Sequence, residues 1–267
     1  VYRVSPILYS FIVNNYYDKV INSIDCLNSR IDLMYKGVPL TITPPDSVEF
    51  IYKDNYIRLV DGFPFLGDIL FENFLGGAYD DIDVKGKIIV DVGAGIGDTA
   101  ILFAFRGAEK VIALEPYPSL FEKALANVRI NNLEDKVVLV NAAVSATDGF
   151  VYASTPEVLE YKPFKPAPRG SNRSVKIKTV TLRTIVREYG IEDGVLKMDC
   201  EGCEYEVFNS AEPETLRVFK QIIVEYHNGP EPIATRLKDL GYNVTMKPIR
   251  SLNIPISIQG YIIAKSY

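Results

Sequence analysis

The sequence predicts an α/β fold in which a Rossmann-like, seven-stranded sheet of five parallel strands and a terminal strand pair follows an N-terminal α+β extension. Three observations predict it. From Lys87 onward, short apolar runs alternate with helical stretches, the pattern of a parallel sheet buried on both faces. A glycine turn, Gly93-Ala94-Gly95-Ile96-Gly97, follows the first of these runs and opens a helix. Two more strand-like runs come after the fifth strand-helix unit and close the sheet.

Residues 1–80 read as an accessory region and 81–267 as the main domain. An amphipathic helix is expected over Tyr9–Ile24, with short strands near 31–43 and 48–60. The run EFIYKDNYIRLV reads as a hairpin about an Asp54-Asn55 turn, and Pro64–Leu75 as a helix leading into the main domain. Strands of the sheet are expected at 87–93, 110–116, 136–143, 194–202 and 220–227, then near 242–247 and 259–265. Helices are expected at Asp98–Phe105, Pro118–Asn131, Thr181–Tyr189, Tyr205–Phe219 and Pro232–Leu240. The stretch 150–178 interrupts the alternation with YKPFKPAPRGSNRSVKIK, proline-rich and basic, and reads as an inserted loop or lid.

With 267 residues, 48% of them hydrophobic, the chain can bury a large core. Its net charge of −5 offers no general attraction to polyanions, which argues against a dedicated nucleic-acid binder. Three cysteines, Cys26, Cys200 and Cys203, are too few for a disulfide framework and fit a reducing cytoplasm. No membrane span is expected, because the apolar stretch near Ile7–Val13 is short. One histidine, no tryptophan and abundant Ile, Val and charged residues lean toward a thermophile. The oligomeric state is not readable.

In an open parallel sheet, ligands sit beyond the carboxyl ends of the strands. At the first such end, Gly93, Ala94, Gly95 and Gly97 let backbone approach a ligand closely, with Asp98 and Thr99 beginning the helix. A dinucleotide fingerprint would carry its third glycine at position 98, where Asp98 stands. That carboxylate would repel a pyrophosphate. With Asp91 it suits a ligand bearing an ammonium and a sulfonium, as S-adenosylmethionine does; Asp91 is the candidate for its amino-acid end, and Asp98 serves equally well as a helix N-cap. Glu115, 18 residues after Gly97 and followed by Pro116, ends the second strand where a carboxylate accepts hydrogen bonds from ribose hydroxyls. Asn141 and Ala142 end the third, either bordering the adenine, the first by side chain and the second mainly by backbone, or as a plain strand terminus.

Five parallel strands and a terminal pair give the order of the class I methyltransferase sheet rather than that of a dehydrogenase. The segments DVGAGIGDTA, ALEPYP, LANVRINN and LKMDCEGCEYEV together resemble the FkbM-type family of S-adenosylmethionine-dependent methyltransferases over roughly residues 85–245. Gly95 stands where that family usually has Asn, while its K-[IVM]-D-x-E-G-x-E motif is intact at Lys197–Glu204. The resemblance implies methylation, typically at a hydroxyl, of sugars and secondary metabolites, which makes a small-molecule or glycan hydroxyl compound the expected partner.

The fourth strand ends at Asp199-Cys200-Glu201-Gly202 and the fifth carries Glu225-Tyr226-His227. Period-two alternation puts Glu225 and His227 on one sheet face. His227, the only histidine, is the natural general base, with Asp199 or Glu225 orienting the imidazole or stabilising its charged form. Glu201 and Glu204 are candidates for substrate or cofactor contact, although Glu204 at a helix start also complements the dipole. Asp199, Glu201, Glu225 and His227 offer divalent-metal donors as well, a mechanism ranked second, so no metal ligand is assigned. The C-x-x-C pair Cys200/Cys203 reads as packing or an adventitious disulfide, since no second pair completes a zinc site. Two alternatives accompany methylation of a small hydroxyl compound. One is an NAD-dependent oxidoreductase, and the other an RNA-directed methyltransferase using the basic 162–178 segment.

Overall fold

In the computed structural model the described residues are 21–25, 30–35, 38–43, 47–60, 73–74, 76–154, 174–249 and 255–266. They fall into two compact units that divide between Gly76 and Gly77.

The first unit is a five-stranded antiparallel meander of β1 (Ile21–Asp25), β2 (Arg30–Tyr35), β3 (Val38–Thr43), β4 (Ser47–Tyr52) and β5 (Asn55–Val60), paired in chain order. Alternation sets its faces: Val48, Phe50, Ile57 and Leu59 are buried and pair across the β4/β5 hairpin, while Ile51 and Tyr56 are exposed. Phe74 packs edge-on against Phe50 and Tyr52, with ring centroids 4.9 and 5.3 Å apart. The hairpin turns at Lys53-Asp54, one residue earlier than expected: both have positive φ (46° and 65°), and Asn55 closes the ladder opposite Tyr52. The helix expected over Tyr9–Ile24 is corrected at its end, where Ile21–Asp25 pairs as a strand with β2. The rest of that stretch lies outside the described residues, as does nearly all of the helix expected over Pro64–Leu75.

The second unit is the predicted α/β domain. Its strands are β6 (Ile88–Val92), β7 (Lys110–Leu114), β8 (Val137–Val140), β9 (Ala143–Val144), β10 (Gly149–Ser154), β11 (Ser174–Val180), β12 (Gly194–Met198), β13 (Phe219–Tyr226), β14 (Asn243–Pro248) and β15 (Gly260–Lys265). Seven of them form one sheet in the order β14-β15-β13-β12-β6-β7-β8. The five central and distal strands are parallel, and β15 inserts antiparallel between β13 and the edge strand β14. The chain moves outward from β6 to β8 and then returns to β12, so the order reverses beside β6. That switch point sets the ligand crevice at the carboxyl ends of β6, β7 and β12.

Helices α1 (Asp98–Phe105), α2 (Pro118–Ile130), α3 (Leu182–Glu188), α4 (Glu204–Ser210), α5 (Pro213–Arg217) and α6 (Glu231–Asp239) connect the strands. The single helix expected over Tyr205–Phe219 is two, because Pro213 holds Glu212 extended (ψ 146°) and α4 must stop. Thr181 caps α3, its hydroxyl accepting from the Thr184 N–H at 3.1 Å. Gly97, rather than Asp98, is the cap residue of α1. The stretch 150–178 is not wholly a loop. Its flanks, β10 and β11, pair as an antiparallel hairpin, and β9 joins them as a second small sheet; residues 155–173 are outside the described set. Among the described residues no helix is long and apolar enough to cross a membrane.

Candidate active site

The glycine turn leaves β6 at Gly93, whose φ of 79° an L side chain rarely adopts. A Cβ there would stand 1.7 Å from the Asp199 carbonyl, so two strand ends approach more closely than any side chain permits. Gly97 (φ 86°) passes against Ala124 of α2, where a Cβ would lie 3.2 Å from that residue. Several N–H groups of the turn are already used: those of Gly93 and Ala94 donate to the Leu114 carbonyl, and that of Gly97 to the Ala94 carbonyl.

Asp91 and Lys197 lie opposite one another in the β6/β12 register, and both side chains are buried. Lys197 Nζ is 3.0 Å from Asp91 Oδ1 and donates to the Gly93 carbonyl at 2.9 Å. Thr99 donates to Asp91 Oδ2 at 2.6 Å. Burial pulls the Lys197 pKa down, but Asp91 and Asp199 outweigh it and hold it above the ordinary value, so the ammonium stays charged. Asp91 thereby supports the turn from beneath through Lys197 and Thr99. Lys197 thus holds the turn, a role that its place in the Lys197–Glu204 motif does not by itself reveal. Its signal was legible: a lone cation in the apolar run GVLKM, beside a strand with one buried-looking aspartate.

Glu115, 3% exposed, ends β7 as expected. Its Oε2 accepts from the Gly95 N–H at 2.9 Å and its Oε1 from the Tyr117 N–H at 2.8 Å. Burial raises its pKa to about 7 against the lowering by those two N–H groups. A carboxylate offers about four acceptor sites, so two remain for a pair of ribose hydroxyls. The fit to S-adenosylmethionine rests on this oriented carboxylate and on the glycine cradle.

Asn141 stands at the end of β8 as expected, and its amide donates to the carbonyls of Glu115 and Pro116 at 2.8 and 3.1 Å, fixing the strand end that carries Glu115. Ala142 is buried and its N–H donates to the Val140 carbonyl. Asp98 is 5% exposed in the first turn of α1, a favourable place for a carboxylate beside the helix dipole.

At the ends of β12 and β13 the structure assembles the expected chemical residues around His227. Its Nε2 stands 3.8 Å from Asp199 Oδ1, 3.7 Å from Glu201 Oε2 and 3.6 Å from Glu225 Oε1. Glu225 is held in turn by Gln259, whose amide donates to it at 2.7 Å. The hydrogen-bond partner of the imidazole is Glu204, while the Asp199 charge favours its protonated form. Nδ1 lies 3.1 Å from Oε1 of fully buried Glu204, whose carboxylate also accepts from the N–H groups of Cys200 (3.1 Å) and Gly202 (2.9 Å). Glu204 is therefore the organiser of the site, beyond the dipole role its position suggested. Burial lowers the His227 pKa, but the Glu204 hydrogen bond and the charges of Asp199 and Glu201 raise it more, to about 9. Burial raises the Asp199 pKa despite the nearby Lys197 and His227.

Glu201 occupies the left-handed region (φ 57°) in the turn Cys200–Cys203, and those two cysteines form a disulfide across it. An adventitious disulfide is one of the two readings of this pair from the sequence.

Comparison with known proteins bears on what this geometry serves. Over 55 residues, 21% of this chain and 18% of the relative, the sequence is 47% identical to ribosomal protein L11 methyltransferase of Carboxydothermus hydrogenoformans. Over 102 residues, 38% of this chain and 29% of the relative, it is 26% identical to protein arginine N-methyltransferase 6 of Danio rerio. Each alignment spans less than a third of the relative's length. Among solved structures, magnesium protoporphyrin IX methyltransferase of Synechocystis PCC 6803 is similar with a TM-score of 0.42 at 11% identity, covering 72% of this chain and 76% of that one. Residues 91–244, more than half of the chain, match the methyltransferase FkbM domain, a result that removes the oxidoreductase alternative. The chain belongs to the FkbM domain family of S-adenosylmethionine-dependent methyltransferases.

Proposed function

We propose that the chain transfers the methyl group of S-adenosylmethionine to a hydroxyl of a sugar or other small metabolite. The observation that carries this reading is the grouping of Asp199, Glu201, Glu225 and His227 at strand ends on the side of the sheet that bears the glycine turn and Glu115. S-adenosylmethionine supplies a carbon already activated by sulfonium, so the chain's own work is alignment and removal of the acceptor's proton. Glu115 holds the ribose, and the turn from Gly93 to Gly97 lies against the amino-acid portion. The acceptor hydroxyl enters among the carboxylates of Asp199, Glu201 and Glu225, with its proton passing to this group of side chains. Glu204 keeps His227 in one orientation throughout.

The test is incubation of the enzyme and methyl-labelled cofactor with a native extract, followed by mass spectrometry of the labelled product. A labelled methyl ether on a small or glycosidic compound is the expected result. Label recovered only in RNA or protein would overturn the acceptor assignment. Asp199→Asn should lower kcat by about 10²–10⁴-fold while S-adenosylhomocysteine still binds; full activity in that variant would remove the cluster from the mechanism.

A further inference from the structure

We infer that the Cys200–Cys203 disulfide is a redox switch on the candidate active site: closed, it holds the turn that fixes Glu204 and, through Glu204, His227; opened by a dithiol, it releases them. Its consequence for turnover rests on the methyl-transfer reading, whereas the link from disulfide to histidine stands without it.

The two cysteines are three positions apart in sequence and 5.6 Å apart at Cα, so the bond staples a four-residue turn between the end of β12 and the start of α4. Both inner residues of that turn have positive φ, 57° at Glu201 and 117° at Gly202. Glycine takes such a conformation readily, but glutamate does so at a cost that its surroundings must offset. The covalent ring supplies that constraint. Closed, the turn aims two N–H groups, those of Cys200 at 3.1 Å and Gly202 at 2.9 Å, at the two oxygens of the Glu204 carboxylate. That carboxylate is fully buried and so depends on these donors, and its Oε1 lies 3.1 Å from His227 Nδ1. Disulfide, turn, carboxylate and imidazole thus form one continuous chain of contacts. A loop this short restricts the unfolded chain less than a long one would, so the effect of the bond is concentrated on the turn itself.

A dithiol reductant opens the bond by exchange. Its thiolate attacks one cysteine sulfur, the S–S bond breaks and a mixed disulfide forms; the second thiol of the reductant then displaces that cysteine. The reductant leaves as its own disulfide, and Cys200 and Cys203 are left as two thiols that have gained two electrons and two protons. Both cysteines are only partly buried, which gives a small dithiol access. Without the staple Glu201 leaves the left-handed region, and the peptide that joins it to Gly202 rotates and takes the Gly202 N–H away from Glu204. The carboxylate loses a donor, and the imidazole loses its fixed partner. Because the two thiols remain within one short turn, oxidation closes the bond again. The closed state is then the one in which His227 is aligned for the acceptor, and reduction lowers turnover.

The test equilibrates the full chain with reduced or with oxidised dithiothreitol. Alkylation and mass spectrometry of the peptide that holds both cysteines should find two thiols in the first buffer and none in the second, with far-ultraviolet circular dichroism unchanged. His227 is the only histidine, so the resonance of its ring carbon–proton pair in nuclear magnetic resonance reports on the site directly, in the unsubstituted chain. In the oxidised chain the imidazole should hold its proton up to about pH 9. In the reduced chain its proton affinity should fall at least about tenfold, the equivalent of one lost hydrogen bond to a charged group. Cys200→Ala/Cys203→Ala, which keeps Cys26, should match the reduced chain in both buffers. A peptide without thiols after reduction or without a disulfide after oxidation, a histidine titration identical in the two states, loss of the dichroism on reduction, or a histidine in the double variant that still responds to the buffer would overturn the switch. A bond that only braces the fold would lower Tm on reduction and leave the histidine unmoved. S-adenosylhomocysteine binding to the oxidised chain, measured separately, reports on the methyl-transfer reading, so either conclusion can fail alone.

Discussion

Replacing Lys197 with Met tests the buried charge pair beneath the glycine turn. The substitution keeps the aliphatic stem and removes an ammonium that is 3.0 Å from Asp91 Oδ1 and 2.9 Å from the Gly93 carbonyl. Asp91, fully buried, is left with the Thr99 hydroxyl and no counter-charge. Breaking such a pair from one side costs about 3–5 kcal/mol, because the remaining ion cannot regain its hydration. In a unit of this size each kcal/mol moves Tm by about 2–4 °C, so a fall of roughly 6–20 °C is expected. The double variant Asp91→Asn/Lys197→Met has no orphaned charge and should recover much of that loss. Thermal unfolding followed by far-ultraviolet circular dichroism, on the parent, both single variants and the double, gives the coupling directly. A Lys197→Met midpoint within 2 °C of the parent, or a double variant no more stable than Lys197→Met, would refute the reasoning.

Three other outcomes are expected. Glu115 has a pKa near 7 from burial, and ribose hydroxyls donate more strongly to its ionised form; S-adenosylhomocysteine should bind tighter above pH 8 than below pH 6, a dependence absent in Glu115→Gln by calorimetry. Because that pKa lies above its ordinary value of 4.5, the same group's contribution to fold stability is greatest below pH 4.5 and is lost as pH rises through 7, so Glu115→Gln should flatten this part of a Tm–pH profile. Gly93→Ala puts a Cβ against the Asp199 carbonyl at a positive φ, and should abolish S-adenosylhomocysteine binding even where soluble protein is recovered. Reduction of Cys200–Cys203 opens a very short loop worth about 2 kcal/mol by the chain-entropy estimate, so reducing agent should lower Tm by about 4–8 °C; no change would mean the thiols are already free in solution.

Much of the second unit was legible in the sequence because its signals are local. Buried parallel strands write themselves as apolar runs, and the glycine turn, Glu115 and the Lys197–Glu204 segment sit at strand ends that those runs delimit. The weaker readings fell where local pattern competes with pairing. Ile21–Ile24 fits a helix by composition yet pairs with β2, and Tyr205–Phe219 fits one helix until the conformation imposed before Pro213 is taken into account.

By itself, then, the sequence determined the alternation of strands and helices, the crevice at their carboxyl ends, and the inventory of acids around a single histidine. Which acid meets which cation was decided only by the tertiary structure. The order β13-β12-β6-β7 lays Lys197 against Asp91 across 106 residues of chain, and the turn after β12 folds back so that Glu204 is the hydrogen-bond partner of the imidazole. Such pairings depend on register between strands distant in sequence, and on which side chains lose their water together. Neither leaves a mark on the spacing of residues along the chain.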